Sequence, residues 1–336
     1  MMTGRLYIDG NDAYRQYGVY VVDDGWNDLV AMPPLKSVET NDWQEEDGIE
    51  ADLSSPVLNT REVSVKIAIS GLFSRYMALI ELLSDGAYHT FDCAEIQRKY
   101  KLRLTSTGNL DAAARLGSAT LKFSDDFPLE SYTYKPPETT VGRYDDYAFD
   151  DIPFTSYGVR VLQGSLSEVK KTAAVKPNLL RNINTMPGAI YDASVVTFKS
   201  KDVKLTCLIR AATLSELWRN YDAMLFDLIR PGERMLWVDA LEQSFPFYYK
   251  SCSVSEFNPE GKIWLKFTLT LTFTGNFRIN DDDFVLAAEN SIIVFTEDGV
   301  NAIEMLPERF NYPSVRLVND RYTMRLLGNG YIRLNN

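Results

Sequence analysis

The run Val203-Lys204-Leu205-Thr206-Cys207-Leu208-Ile209-Arg210 puts Val203, Leu205, Cys207 and Ile209 on one face and Lys204, Thr206 and Arg210 on the other. That is the period of a strand with one buried side. Thr213-Leu214-Ser215-Glu216 then has the form of a capping box. Leu214, Leu217, Trp218, Tyr221, Met224, Leu225 and Leu228 follow at helical spacing. Pro231-Gly232 stops the helix, and Met235 to Val238 reads as a second strand.

The same order occurs earlier. Val63, Val65, Ile67 and Ile69 form a strand, and Leu72, Tyr76, Leu79, Ile80 and Leu83 a helix stripe. Gly86 is the stop and His89-Thr90-Phe91 the next strand. Tyr17-Gly18-Val19 precedes Tyr157-Gly158-Val159 by 140 residues, as Gly48 precedes Gly188 and Glu62-Val63 precedes Asp202-Val203. Leu121-Lys122-Phe123 with Phe127 matches Leu271-Thr272-Phe273 with Phe277 at an offset of 150. A steady offset that drifts by loop insertions is the mark of a tandem duplication. The expected division is a first domain over 1–130, a linker over 131–146, a second domain over 147–280 and a small C-terminal β-meander over 281–336.

Length and composition narrow the function classes. A chain of 336 residues is long for one core, and 45% hydrophobic with 24% charged residues is ordinary for a globular protein. No stretch approaches the roughly 18 consecutive apolar residues of a membrane helix, and Met1 to Arg5 leads straight into Leu6-Tyr7-Ile8, which predicts no secretory leader. Three scattered cysteines, Cys93, Cys207 and Cys252, predict free thiols in a reducing compartment. A net charge of −11 argues against sequence-specific nucleic-acid binding.

Signals for chemistry are sparse. His89 is the one histidine, so it would have to serve any nucleophilic triad, and it sits in a predicted strand with no nucleophile pattern near it. Paired-histidine zinc motifs and phosphate-binding glycine loops do not occur, and no cofactor is expected. Asp42-Trp43-Gln44-Glu45-Glu46-Asp47 fails the calcium-loop pattern, with Leu53 where the bidentate glutamate belongs. That stretch and Asp281-Asp282-Asp283 read as solvated or interface loops. The loop aromatics Tyr14, Trp26 and Trp43, with Tyr17, are candidate contacts for an assembly interface or, alternatively, for a sugar. The polar segments 23–60 and 162–199 are long enough to serve as arms.

The second copy resembles the N-terminal domain of phage distal tail proteins and, more broadly, the tail-tube fold. The matching features are Ser156 to Val161, the Asp202 to Arg210 strand, the single helix Leu214 to Ile229, Pro231-Gly232, Met235 to Asp239, and the Thr- and Phe-rich strand Lys266 to Phe277. The first copy matches through Gln16 to Val19, Arg61 to Ile69 and Leu121 to Phe127, and the family usually carries one such domain where this chain carries two. The resemblance implies a mainly β fold: two tandem β-sandwich or split-barrel domains, each with one helix. It implies a non-enzymatic virion protein of the tail tip or baseplate, made in the bacterial cytoplasm and self-associating into a ring. That ring would be a trimer with pseudo-sixfold symmetry or a hexamer, meeting neighbouring tail-tube, hub or baseplate proteins around a DNA-conducting lumen. A carbohydrate- or receptor-binding module, with a host glycan as ligand, is the alternative. No membrane partner is expected.

Overall fold

The computed structural model describes residues 2–113, 115–130, 132–139, 146–150, 152–176, 180–182, 184–185, 187–191, 196–275 and 277, with four strands between 303 and 334. Asp281-Asp282-Asp283 lies outside the described residues, as does most of the expected meander over 281–336.

The chain folds mainly as antiparallel β-sheet. Its first part runs β1 (Tyr7–Ile8), β2 (Asn11–Asp12), α1 (Ala13–Tyr17), β3 (Val19–Val21), α2 (Asn27–Val30), β4 (Thr40–Asn41), β5 (Glu50–Ala51), β6 (Arg61–Ser70), α3 (Phe73–Leu83), β7 (His89–Cys93), β8 (Arg98–Ser106), β9 (Leu110–Ala112) and β10 (Leu116–Asp125). The second runs β11 (Tyr147–Phe149), β12 (Ile152–Pro153), a 3-10 turn (Phe154–Tyr157), β13 (Val159–Val161), α4 (Ser165–Lys170), β14 (Leu180–Asn182), β15 (Ala189–Tyr191), β16 (Lys201–Ala211), α5 (Leu214–Leu228), β17 (Arg234–Val238), β18 (Gln243–Asn258) and β19 (Ile263–Phe273). The strand orders are β2-β1-β7-β8-β10-β6-β3 and β12-β11-β17-β18-β19-β16-β13, the same arrangement element for element, with β9 added beside β10 in the first. Short hairpins β4–β5 and β14–β15 stand in equivalent places outside the main sheets.

The alternation read in the sequence is the packing in space. Val63, Val65, Ile67 and Ile69 are all buried, and so are Val203, Leu205, Cys207 and Ile209. In the ladders, Val63 pairs with Phe123 and Val203 with Leu271. Phe123 and Leu271 are therefore equivalent, an offset of 148 rather than the 150 read from matching Leu121-Lys122-Phe123 with Leu271-Thr272-Phe273. Phe127 and Phe277 part company accordingly: the first is exposed, the second buried.

Helix α5 is capped by Thr213, with the reciprocal bond of Glu216 shifted one residue ahead of the cap. Thr213 Oγ1 accepts from Glu216 N at 3.1 Å, and Glu216 Oε2 accepts from Ala212 N at 2.9 Å. Ahead of β3 the chain forms α1, whose N-cap Asp12 accepts from Arg15 N at 2.9 Å. The C-terminal meander has four antiparallel neighbours among the described residues: β20 (Ile303–Met305), β21 (Ser314–Leu317), β22 (Thr323–Leu327) and β23 (Tyr331–Leu334).

The described part of the segment after β10 lies along α5. Glu138 N donates to Asn220 Oδ1 at 2.7 Å, and Arg219 Nε donates to Pro136 O at 2.8 Å. Buried Asp227 accepts from Tyr157 OH at 2.5 Å and Tyr134 OH at 3.3 Å, and pairs with Arg230. One carboxylate thus ties the 3-10 turn, the connecting segment and α5 together. Asp227→Ala would leave a buried hydroxyl unpaired, so a loss of about 2–4 kcal/mol of unfolding free energy is expected in urea titrations.

Candidate functional site: the seam between the two copies

The one histidine is built into a structural contact. His89 is buried on β7, its Nδ1 2.6 Å from Asp9 Oδ2 and its Nε2 3.1 Å from Asp85 Oδ1. Asp9 Oδ1 also accepts from Thr90 N at 2.8 Å, so the group pins the β1–β2 turn to β7. The thiols are held protonated: burial pushes Cys93 and Cys207 far up, and Cys252 up to about 11. Among the described residues no cluster of three or more His, Cys, Asp or Glu has metal-binding geometry.

What the fold does build is a seam between the copies. The acidic stretch Asp42 to Asp47 is the tip of the β4–β5 hairpin and lies on the second copy, as an interface loop. Lys176, 1% exposed, points its Nζ into that tip. It donates to the carbonyls of Trp43 (2.6 Å), Glu46 (2.7 Å) and Gly48 (2.7 Å), and lies 2.6 Å from the Asp42 carboxylate. Around this clasp Phe198 N donates to Asp47 Oδ1 at 2.8 Å, Thr197 Oγ1 donates to Gln44 O at 2.8 Å, and Gly48 N donates to Phe198 O at 2.7 Å. Gly48 is required twice over. Its φ is +79°, and a Cβ there would stand 1.5 Å from Thr274 O.

A second contact rests on two β-bulges in β18. The β18–β19 register skips at Lys250 and at Ser255, which takes their backbone out of the ladder. Both freed carbonyls accept from the first copy: Lys250 O from Leu35 N and Ser255 O from Asn27 Nδ2, each at 3.0 Å. Tyr249 OH donates to Pro33 O at 2.9 Å beside them. The third contact is α5. Its Trp218 Nε1 donates to Ile96 O at 2.6 Å, the Arg98 guanidinium lies 4.2 Å from the Trp218 ring centre, and Arg98 Nη2 reaches Asp222 Oδ1 at 2.6 Å. Of the helix stripe, Tyr221 packs on Phe267 of its own sheet, and Trp218, which also packs on Phe257 of β18, turns its indole N–H to the first copy.

A cleft of about 430 Å³ opens along the seam, lined by Met32, Arg61, Tyr100, Tyr132 and Asp222 among others. Burial pushes the Tyr100 hydroxyl up to about 12, so it stays protonated.

The aromatics singled out in the sequence are not gathered into one site. Tyr14 lies on α1 against Tyr20, with ring centres 6.1 Å apart. Trp26 precedes α2 and is core, 6% exposed, which removes it from contact with any ligand or neighbour. Trp43 is 54% exposed at the hairpin tip, and its backbone rather than its ring serves the Lys176 clasp. Tyr17 is buried. Lys176, Arg98 and the bulges carried no signal of their own in the sequence. The traces of the seam were the matched pair Gly48 and Gly188 and the acidic stretch Asp42 to Asp47, read as a solvated or interface loop.

The sequence matches no protein-family model and no curated protein. Among solved structures it is similar to the Dit protein of phage SPP1, described as a paradigm of the hub adsorption apparatus in phages infecting Gram-positive bacteria. The identity is 14%, the alignment covers 80% of this chain and 97% of that one, and the TM-score is 0.30.

Two outcomes are expected. Lys176→Met strands three inward-facing carbonyls and should cost about 2–4 kcal/mol, read from denaturant midpoints. For His89, burial pulls the pKa down, but the hydrogen bonds and charges of Asp9 and Asp85 outweigh it and hold the ring above its ordinary value. A folded value above the unfolded one gives stabilisation that is complete below the ordinary histidine range and lost as pH rises through the raised value. Unfolding free energy should therefore decline with rising pH across that window, and His89→Gln should flatten the decline.

Proposed function

We propose that the protein is a structural component of a phage or prophage tail or baseplate, a ring subunit that works through its interfaces and not through catalysis. The observation that carries the reading is the head-to-tail docking of two copies of one topology. The first copy contributes its hairpin tip and the Ile96–Arg98 turn; the second contributes Lys176, the β18 bulges and α5. A contact between different faces of equivalent units repeats, and it closes into a ring when the rotation allows. Residues 1–130 and 147–280 are then the two ring domains, joined by 131–146, with 281–336 as an appended meander.

Three chains would supply six such domains, and a hexamer would supply two tiers of them. The partners are further copies of this chain and neighbouring tail-tube, hub or baseplate proteins, and the location is the virion. The net charge of −11 suits a conduit from which DNA phosphates must be repelled. The glycan reading has less support, because its aromatics are dispersed and Trp26 is core.

Light scattering at high protein concentration, with negative-stain imaging, tests this. Particles of three or six chains around a central hole are expected. A strict monomer that binds host-surface glycans would overturn the reading in favour of the binding module.

A further inference from the structure

If the chain assembles as proposed above, its internal seam is a template for the contact between chains. We infer that the β14–β15 hairpin and the β17–β18 turn of one chain dock on the first copy of the next, at a face centred on Lys36, Val57 and Met77.

The argument is positional. The backbone ledge that carries Lys176 occurs in both copies with the same hydrogen bonds. Lys176 N donates to Thr197 O at 2.8 Å and Lys199 N to Ala174 O at 2.7 Å; in the first copy Lys36 N donates to Val57 O at 2.9 Å and Asn59 N to Pro34 O at 2.8 Å. The bridges Val175–Phe198 and Leu35–Leu58 match as well. The second ledge is covered by the hairpin of the first copy, and Lys176 and Thr197 are 1% and 4% exposed. The first ledge is bare: Val57 is 51% exposed, and Lys36 is exposed with no partner for its ammonium among the described residues.

The helices repeat the contrast. Counted from their N-caps Leu72 and Thr213, Met77 of α3 stands where Trp218 stands on α5, and Phe73 where Leu214 stands. Trp218 and Leu214 are buried, yet Met77 and Phe73 are 47% and 37% exposed. The bulge recurs as well: the β8–β10 register skips at Thr105, the counterpart of Lys250, whose carbonyl takes Leu35 N across the internal seam.

The complementary surface is present on the second copy. Gly188 has the left-handed φ of Gly48 (+85° against +79°), but where a Cβ on Gly48 would meet Thr274, one on Gly188 meets nothing within 4 Å. Val175, the counterpart of Leu35, whose N–H reaches the Lys250 bulge, is 50% exposed. A second copy of this chain is the occupant that fits both halves, because each lacks what the other offers.

The test mixes two chains that each carry one added cysteine beside the native Cys93, Cys207 and Cys252, Val57→Cys and Asn184→Cys, with a short bis-maleimide. These positions correspond to Thr197 and Gln44, which touch across the internal seam at 2.8 Å. A covalent dimer is expected from the mixture and not from wild type. Adding Lys36→Glu to the Val57→Cys chain, a change at an exposed side chain, should abolish it. A link that survives Lys36→Glu undiminished overturns the inference, as does a double variant that links only within one chain. Absence of the link from chains that scattering shows to be assembled overturns the inference and leaves the ring reading standing. Absence of both link and assembly overturns the two together.

Discussion

A buried ammonium is among the most demanding groups a fold can enclose, and Lys176 is enclosed almost completely. Outside water it needs acceptors on every side, and here a single hairpin tip supplies them. Carbonyls at Trp43, Glu46 and Gly48 converge only if the tip curls back on itself, and the left-handed Gly48 permits that curl. The same glycine lets the tip lie on the Thr274 backbone. Charge burial, turn geometry and close backbone approach therefore fix one another, and together they seat the hairpin tip of the first copy on the second.

The two main sheets share one strand order, and the differences lie chiefly in their surfaces. Helix α5 has 15 residues against 11 in α3, and it is buried on two sides where α3 is buried on one. Trp218 and Asp222 give α5 an outer face for Arg98; Met77 and Glu81 hold the corresponding places on α3. The bulged strands show the same economy: a skipped residue in β18 bends the strand and frees a carbonyl for the partner unit.

Much of this architecture was legible because β-sheets and amphipathic helices write their burial into a period. β6, β16, β19 and α5 could be placed from alternation and spacing alone. The offset along the last strand was misread by two residues for the same reason. A slip of two leaves every side chain on its own face, so only the ladder register, Val63 against Phe123 and Val203 against Leu271, reveals it. α1 escaped notice because five residues are too few to display a helical period. The seam was illegible for a different reason. Lys176 is one lysine in a polar stretch, and its partners are backbone carbonyls, which every sequence has. Trp26 was misjudged because a tryptophan between polar residues reads as a surface aromatic until α2 turns it inward. The first of the two expected arms, 23–60, stays within its own chain.

The segment between β10 and β11 joins the two copies covalently, and its described part is held against α5 by Glu138, Pro136 and Tyr134. A tether of this kind gives the internal seam an effective concentration of roughly millimolar or above. Any untethered contact of the same design must instead form at the concentration at which the chain occurs. Dilution therefore separates two events that share one geometry. The pairing of the two copies belongs to folding and is independent of concentration, whereas growth beyond a single chain obeys mass action.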